Sequence, residues 1–408
     1  MRITLINQFY LPDLAPTGHM AASLMEHRAS LGDEVRVVTS RGGYVAKSRN
    51  DESLSNASVR VHRIWTPGFG KRSNLLRAVD YALFYLFAWI RTITLPRQDV
   101  IITMTTPPLI GLVAVCHKLL HRKTKIILWN MDCYPDVLEP VGMIRPQGMI
   151  ARFLRWLVRL EFRGTNYLVT LDEAMTDLLV RQYVLPGRTL PATVIPNWER
   201  ASLFPAVAPP LPRWKNADSL GLDGCFTIIY LGNTGYGHEF GTVLDAAEQL
   251  RDEPVRFLFI GGGKRWSEIA AEKEARKLDN LLLQPYVPKE ETPAVMALAD
   301  CALITLTDWS LGIMSPSKLH ANLAMGLPVI YVGPRDSNVD AAIAQEQCGI
   351  SLRHGDAEGL VEFVCQCQAE PEHFAGLKRH AREAFDTRYC DLQTLPQFDR
   401  VIELVTSG

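Results

Sequence analysis

One pattern constrains this chain more than any other: an alternation of strand-length and helix-length segments that runs through it twice. Short apolar runs, each closed by glycine, proline or a small polar residue, alternate with segments of helical length. Ile3 to Asn7 reads as a buried strand, followed by the turn-rich loop Pro12 to Gly18. A helix is expected over about 19–31, ended by Gly32, with the next strand at 35–39. Further strands are expected at 100–104, 125–130, 167–171 and 193–195. The pattern resumes at Thr227 to Gly232, with a helix over about 242–250 and strands at 256–260, 281–283, 301–305 and 328–332. A parallel pair of strands needs a crossover long enough to hold a helix, so this alternation predicts doubly wound parallel sheets. Two cycles predict two Rossmann-like α/β domains, 1–200 and 201–390, and a last short helix within 391–408. Pro205, Pro209, Pro210 and Pro212 mark 201–224 as the linker plus an excursion.

Composition excludes several classes. A chain of 408 residues exceeds one ordinary core, and 47% hydrophobic with 21% charged residues is globular. A net charge of -1 gives no global field for nucleic acid. Eight cysteines form no CxxC and mostly sit in apolar runs, which predicts free thiols in a reducing cytoplasm. The opening MRITLINQFY has no apolar leader, so no secretory signal is expected. The apolar stretch Tyr81 to Ile90 is about half of a membrane span. The ten histidines do not cluster, and no zinc, P-loop or GxSxG signature is present, so neither a metal nor a cofactor is expected.

Five stretches could carry chemistry. Pro12 to Gly18 ends at a helix N-terminus, where free N–H groups suit an anion and Gly18 admits a close neighbour; a plain strand–helix turn is the alternative. Leu231-Gly-Asn-Thr-Gly-Tyr-Gly237 places Gly232, Asn233 and Gly235 between strand and helix, as a pyrophosphate site or a simple turn. It is not GxGxxG, which disfavours NAD. Ile260-Gly-Gly-Gly263, with Gly261 and Gly262, is a weaker instance. In Ser315-Pro-Ser-Lys318, Ser315 reads as a helix cap and Pro316 as the first helical residue, with Ser317 and Lys318 in the first turn. The helix dipole disfavours a lysine there, so a bound anion would account for Lys318; a solvated lysine is the alternative. In Trp129-Asn-Met-Asp-Cys-Tyr-Pro-Asp136, Asp132 follows a buried strand and could meet sugar hydroxyls or fix an Asx turn.

Two segments are basic and aromatic. In 148–164, Arg152, Arg155, Arg159 and Arg163 recur at helical spacing among Phe153, Trp156, Leu157 and Leu160. In 71–91, Lys71, Arg72, Arg77 and Arg91 flank Tyr81, Phe84, Tyr85, Phe87 and Trp89. Such helices suit an anionic membrane surface, but on pattern alone a core helix with a solvated basic face is favoured.

The ordered set of Asn7-Gln-Phe-Tyr-Leu-Pro12 with Thr17-Gly18, Thr105-Thr-Pro-Pro-Leu109, Asp132-Cys-Tyr-Pro-Asp136, Ile195-Pro-Asn-Trp198, Leu231-Gly-Asn-Thr-Gly235, Pro316-Ser-Lys318 and Ala324-Met-Gly-Leu-Pro328 resembles glycosyltransferase family 4, in its WbuB/WcaI-like branch. The resemblance implies a GT-B fold with a cleft between two domains. It implies a retaining, metal-independent hexosyltransferase that uses a nucleotide-sugar donor and a lipid-linked or other saccharide acceptor in cell-surface polysaccharide synthesis. The enzyme is then cytoplasmic, with peripheral contact at the inner face of the plasma membrane, and its final helix returns to the N-terminal domain. On this resemblance Asp132, Lys318 and Gly18 are expected to be catalytic. Thr17, Gly232, Asn233, Gly235, Gly261, Gly262, Ser317 and Asn322 are expected to bind the donor, and Arg152, Arg155, Arg159 and Trp156 to face the acceptor or membrane. The chain departs from the family at Ile313 and Ala321, where glutamates are usual. A nucleotide-sugar 2-epimerase and a non-catalytic GT-B binding module are the alternatives.

Overall fold

A computed structural model describes residues 1–13, 15–41, 58–67, 74–205 and 213–407. The chain forms two compact units, Met1–Pro196 with Thr394–Gly408, and Asn197–Gln393. Unit 1 runs β1 (Arg2–Ile6), α1 (Pro16–Ser30), β2 (Glu34–Ser40), β3 (Val59–Ile64), α2 (Asn74–Ile93), β4 (Val100–Thr103), α3 (Gly111–Leu120), β5 (Lys125–Trp129), α4 (Met149–Gly164), β6 (Tyr167–Thr170), α5 (Glu173–Tyr183) and β7 (Ala192–Val194). Its seven strands are all parallel, in the order β3-β2-β1-β4-β5-β6-β7. The winding reverses between β1 and β4, where Ile3 lies beside both Val35 and Val100. Helices cover the sheet, so Ile6, Val38, Ile101 and Ile126 share a core with Phe84 of α2 and Ala114 of α3.

Unit 2 runs β8 (Phe226–Asn233), α6 (Gly241–Gln249), β9 (Val255–Gly262), α7 (Trp266–Arg276), β10 (Leu281–Pro285), α8 (Thr292–Met296), β11 (Cys301–Thr305), α9 (Lys318–Ala324), β12 (Val329–Val332), α10 (Asn338–Glu346), β13 (Gly349–Leu352), α11 (Ala357–Ala369) and α12 (Pro371–Ala384), and α13 (Asp391–Ser407) follows. The strand order is β10-β9-β8-β11-β12-β13, again parallel with one reversal, between β8 and β11. Alternate side chains of β8 serve two cores: Ile228 and Tyr230 on one face, Ile229 on the other.

Three sequence expectations shift. Strands β3 and β13 lie where none was expected. Residues 213–224 are built into unit 2: Trp214 and Leu222 are buried in its core, and Trp214 Nε1 donates to Glu291 at 2.7 Å. Pro209, Pro210 and Pro212, like Lys71 and Arg72, lie outside the described residues, as does the side chain of Arg77. The last helix has 17 residues, longer than the short helix expected, and its part from Thr394 belongs to unit 1. There Phe398 packs edge-on against Trp129, ring centroids 4.6 Å apart, and Asp399 pairs with Arg28 at 2.8 Å and with His27 at 2.7 Å. Among the described residues no helix is long and apolar enough to cross a membrane.

Candidate functional site

In open α/β sheets ligands collect at the carboxyl ends of the strands, beside the reversal of strand order. In unit 2 that place is the end of β8 next to β11. The expected loop at Gly232 is in fact strand: β8 continues through Asn233, with Gly232 opposite Gly261 and Asn233 opposite Gly262. Gly232 has φ +126, and a Cβ on Gly261 would run into the Gly232 carbonyl. These glycines are therefore required first by strand pairing, and only then leave room for a ligand. Gly235 lies beyond the strand, where a Cβ would meet only Asn233 Nδ2, at 3.1 Å.

Lys318 is brought onto this edge. Its Cε would lie 3.1 Å from a Cβ on Gly232, and its Nζ stands 4.8 Å from the centre of the Tyr230 ring. Helix α9 begins at Lys318; Ser315 and Pro316 precede it, and exposed Ser317 occupies the cap position without a side-chain cap bond. The expected cap at Ser315 is thus displaced by two residues. Among the described residues no carboxylate pairs with Lys318, and burial pushes its amine down to about 8. Its hydrogen-bond partner is His238 Nε2, at 3.3 Å. His238, in turn, has its Nδ1 2.7 Å from the Thr305 carbonyl at the end of β11. Burial, then the Lys318 charge, hold His238 down to about 3, so the ring is neutral. Next to it Glu239 pairs with His354 at 2.6 Å, which raises the histidine and lowers the carboxyl. Asn322 lies on the buried side of α9, and Ala321 packs against the core. His238, which no sequence pattern singles out, is the one histidine between the glycine loop and α6.

Unit 1 offers a different chemistry at the corresponding edge. The expected helix start at 19 is earlier: Pro16 opens α1, so Thr17 and Gly18 lie in its first turn. Gly18 fits closely against backbone, since a Cβ would lie 3.2 Å from Tyr10 N and 3.3 Å from Phe9 C. The close neighbour that Gly18 admits is this chain's own segment after β1. That segment is tied to the end of β4 by Gln8 N–H to Thr106 O at 2.8 Å. The Thr105 hydroxyl accepts the N–H groups of Met131 and Asp132, at 3.0 and 3.1 Å. Asp132 is half-buried, and desolvation pushes its carboxyl up to about 6. Its neighbour Asp136 is structural: Tyr183 and Gln182 donate to it at 2.6 and 2.8 Å.

The basic helix α4 turns part of its basic, aromatic side outward. Its buried side is Ala151, Val158, Glu161 and Phe162. Phe153 and Trp156 are 57% and 51% exposed and stack on each other at 5.8 Å, flanked by exposed Arg152 and Arg159. Arg155 is not on this face. It pairs with Glu139 at 2.5 Å and lies 3.9 Å from Asp136, so it ties α4 to the turn after β5.

Residues 17–198 match the family described as glycosyl transferase 4-like domain, and residues 225–370 match glycosyl transferases group 1. The chain is 24% identical over 336 residues to the protein named "Probable glycosyltransferase WbjE" of Pseudomonas aeruginosa, covering 79% of this chain and 80% of that one. It is 23% identical over 405 residues to "Putative colanic acid biosynthesis glycosyl transferase WcaI" of Escherichia coli (strain K12), covering 95% and 97%. Among solved structures, Anabaena Alr3699/HepE in complex with UDP-glucose superposes with a TM-score of 0.70 at 13% identity, covering 99% of this chain and 100% of that one. With both family domains in tandem on two parallel-sheet units, the chain belongs to the family-4 glycosyltransferases of GT-B fold, in the branch of WcaI.

Proposed function

We propose that this glycosyltransferase moves a hexose, with retention, from a nucleoside-diphosphate sugar to a lipid-linked saccharide during cell-surface polysaccharide synthesis. The observation that carries the reading is Lys318: an ammonium with no carboxylate partner among the described residues, laid over Gly232 at the end of β8. As the glycosidic bond breaks, negative charge grows on the departing diphosphate. A fixed cation and free N–H groups stabilise that charge more in the transition state than in the ground state. Lys318 thereby takes the role a divalent cation would otherwise fill, so the reaction needs no metal. Gly232, Asn233, Gly235, Gly261, Gly262 and Ser317 line the donor side. In unit 1, Asp132 serves the sugar and Thr17 the donor, while Gly18 lets the first turn of α1 pack against the Phe9–Tyr10 backbone; Asn322 serves the donor through α9. HepE was solved with UDP-glucose, and the name of WcaI refers to colanic acid; both support the reading by analogy.

The lipid-linked acceptor is supported by α4. Two stacked, exposed aromatics between arginines can enter the headgroup region of an anionic bilayer, which suits an enzyme at the cytoplasmic face of the plasma membrane.

The test is a transfer assay with UDP-, GDP- and TDP-sugars and polyprenyl-diphosphate-sugar acceptors in detergent. Nucleotide release coupled to labelled lipid from one donor is expected, with product of retained anomeric configuration, in the presence of chelator. Lys318→Ala should lower kcat by on the order of 100-fold or more. An altered nucleotide sugar formed without acceptor would instead make the protein an epimerase, and no binding of any donor would leave a non-catalytic module.

A further inference from the structure

Lys318 raises a physical question that the donor site alone does not answer. A lysine held for an anion must be kept in one place, and the usual holder, a carboxylate, would cancel its charge and compete with the ligand. Unit 2 holds the ammonium with a neutral ring instead. The Thr305 carbonyl can only accept, so His238 Nδ1, 2.7 Å away, carries the proton. Nε2 then presents a lone pair, and Lys318 Nζ donates to it at 3.3 Å. Aromatic neighbours flank the ring: Tyr230 lies edge-on at 5.9 Å, and Phe240 is tilted to it at 6.3 Å. The Tyr230 ring also faces the ammonium, at 4.8 Å. Burial lowers the imidazole most, and the charged groups acting on it, Lys318 and Arg265, are both cations that lower it further, so the ring stays neutral.

Accepting the donor-site reading above, we propose that His238 is a positioning residue: tethered to the end of β11, it aims the Lys318 ammonium across Gly232 at the donor diphosphate without neutralising it. The glycine loop, β11 and α9 are thereby joined through one imidazole, and the residues concerned are 67 and 80 positions apart in the chain.

The two ring nitrogens can be replaced separately. In His238→Asn the amide reaches about as far as Nδ1 and keeps the tether to Thr305, but leaves no acceptor for Lys318. In His238→Gln the amide oxygen reaches about as far as Nε2 and keeps that acceptor. His238→Phe loses both. Binding of UDP, GDP and TDP is measured by calorimetry for each purified full-length variant, with thermal unfolding as the check on folding. For whichever diphosphate binds the parent protein, Gln should stay within about threefold of the parent Kd, and Asn and Phe should weaken binding by about tenfold or more. Rescue by Asn and failure of Gln would show that His238 only tethers the loop, and would overturn the proposal. A second readout needs no ligand: the rate at which acetic anhydride acetylates Lys318, followed by peptide mass spectrometry. Asn and Phe should change that rate severalfold, and Gln should leave it near the parent value. If no diphosphate binds the parent protein, the donor reading falls while this second readout still decides whether His238 holds the lysine; equal rates in all four proteins would overturn that.

Discussion

Asp132 and Lys318 are shifted toward neutrality by the same cause. Burial lifts the Asp132 carboxyl to about 6 and lowers the Lys318 amine to about 8. Between these values Asp132 is mostly ionised and Lys318 mostly protonated, which are the forms the proposed transfer needs. The pH profile of kcat/KM should therefore be bell-shaped, rising through about 6 and falling through about 8. Asp132→Asn should remove the acid limb and lower the plateau by on the order of 100-fold. An acid limb that survives in that variant belongs to another group. At this scale the sequence marked Lys318 and Asp132 because both follow recognisable local patterns. It could not mark His238, since the meaning of that residue depends on a carbonyl and an amine brought to it by folding. Nor could it show that Arg155 is consumed by Glu139 while Arg152 and Arg159 stay exposed.

At the scale of elements, periodicity located the helices but not always their orientation. The buried side of α4 carries Glu161 beside Phe162, while Phe153 and Trp156 are exposed, and a spacing of apolar residues does not assign a buried side that contains a carboxyl. Strand β13 starts on glycine and its serine breaks the apolar run, and the six residues of β3 carry His62 and two arginines. Glu161 is buried for a reason, since its carboxyl caps Gly111, the first residue of α3, whose preceding residue provides no side-chain cap. Burial pushes this carboxyl up to about 7. A carboxyl raised in the fold favours the protonated state, so its contribution to stability is full below the unfolded value and is lost as pH rises toward 7. Glu161→Gln keeps the acceptor and removes the ionisation. Relative to the parent protein it should gain about 2–3 kcal/mol on going from pH 5 to pH 8, measured by denaturant unfolding at each pH. A constant difference between the two would show that Glu161 does not titrate in this range. On the opposite side of α4, Phe153→Ser with Trp156→Ser should abolish sedimentation with anionic vesicles and leave binding of a soluble donor unchanged. Unchanged sedimentation would remove α4 from any membrane contact.

At the scale of the whole molecule, the double cycle of strands was legible because parallel strands buried on both faces leave long apolar runs in any sequence. The ownership of the last helix was not, since nothing within residues 394–408 names Trp129 or Arg28 as their partners. Those residues give unit 1 a piece of core delivered from the far end of the chain. Phe398 is fully buried against Trp129, and truncating such a ring costs about 3–5 kcal/mol. Two units with separate cores should unfold in two calorimetric transitions, because cooperativity belongs to a core rather than to a chain. Phe398→Ala should lower the transition of unit 1 by roughly 10 °C and leave the other in place. A nucleoside diphosphate at about 100 times its Kd should raise the transition of unit 2 by the equivalent of about 2.7 kcal/mol and leave that of unit 1 in place. The two perturbations thus label the two transitions independently. If Phe398→Ala moved both transitions together, the units would share one cooperative core, and the final helix would fasten the whole chain rather than unit 1.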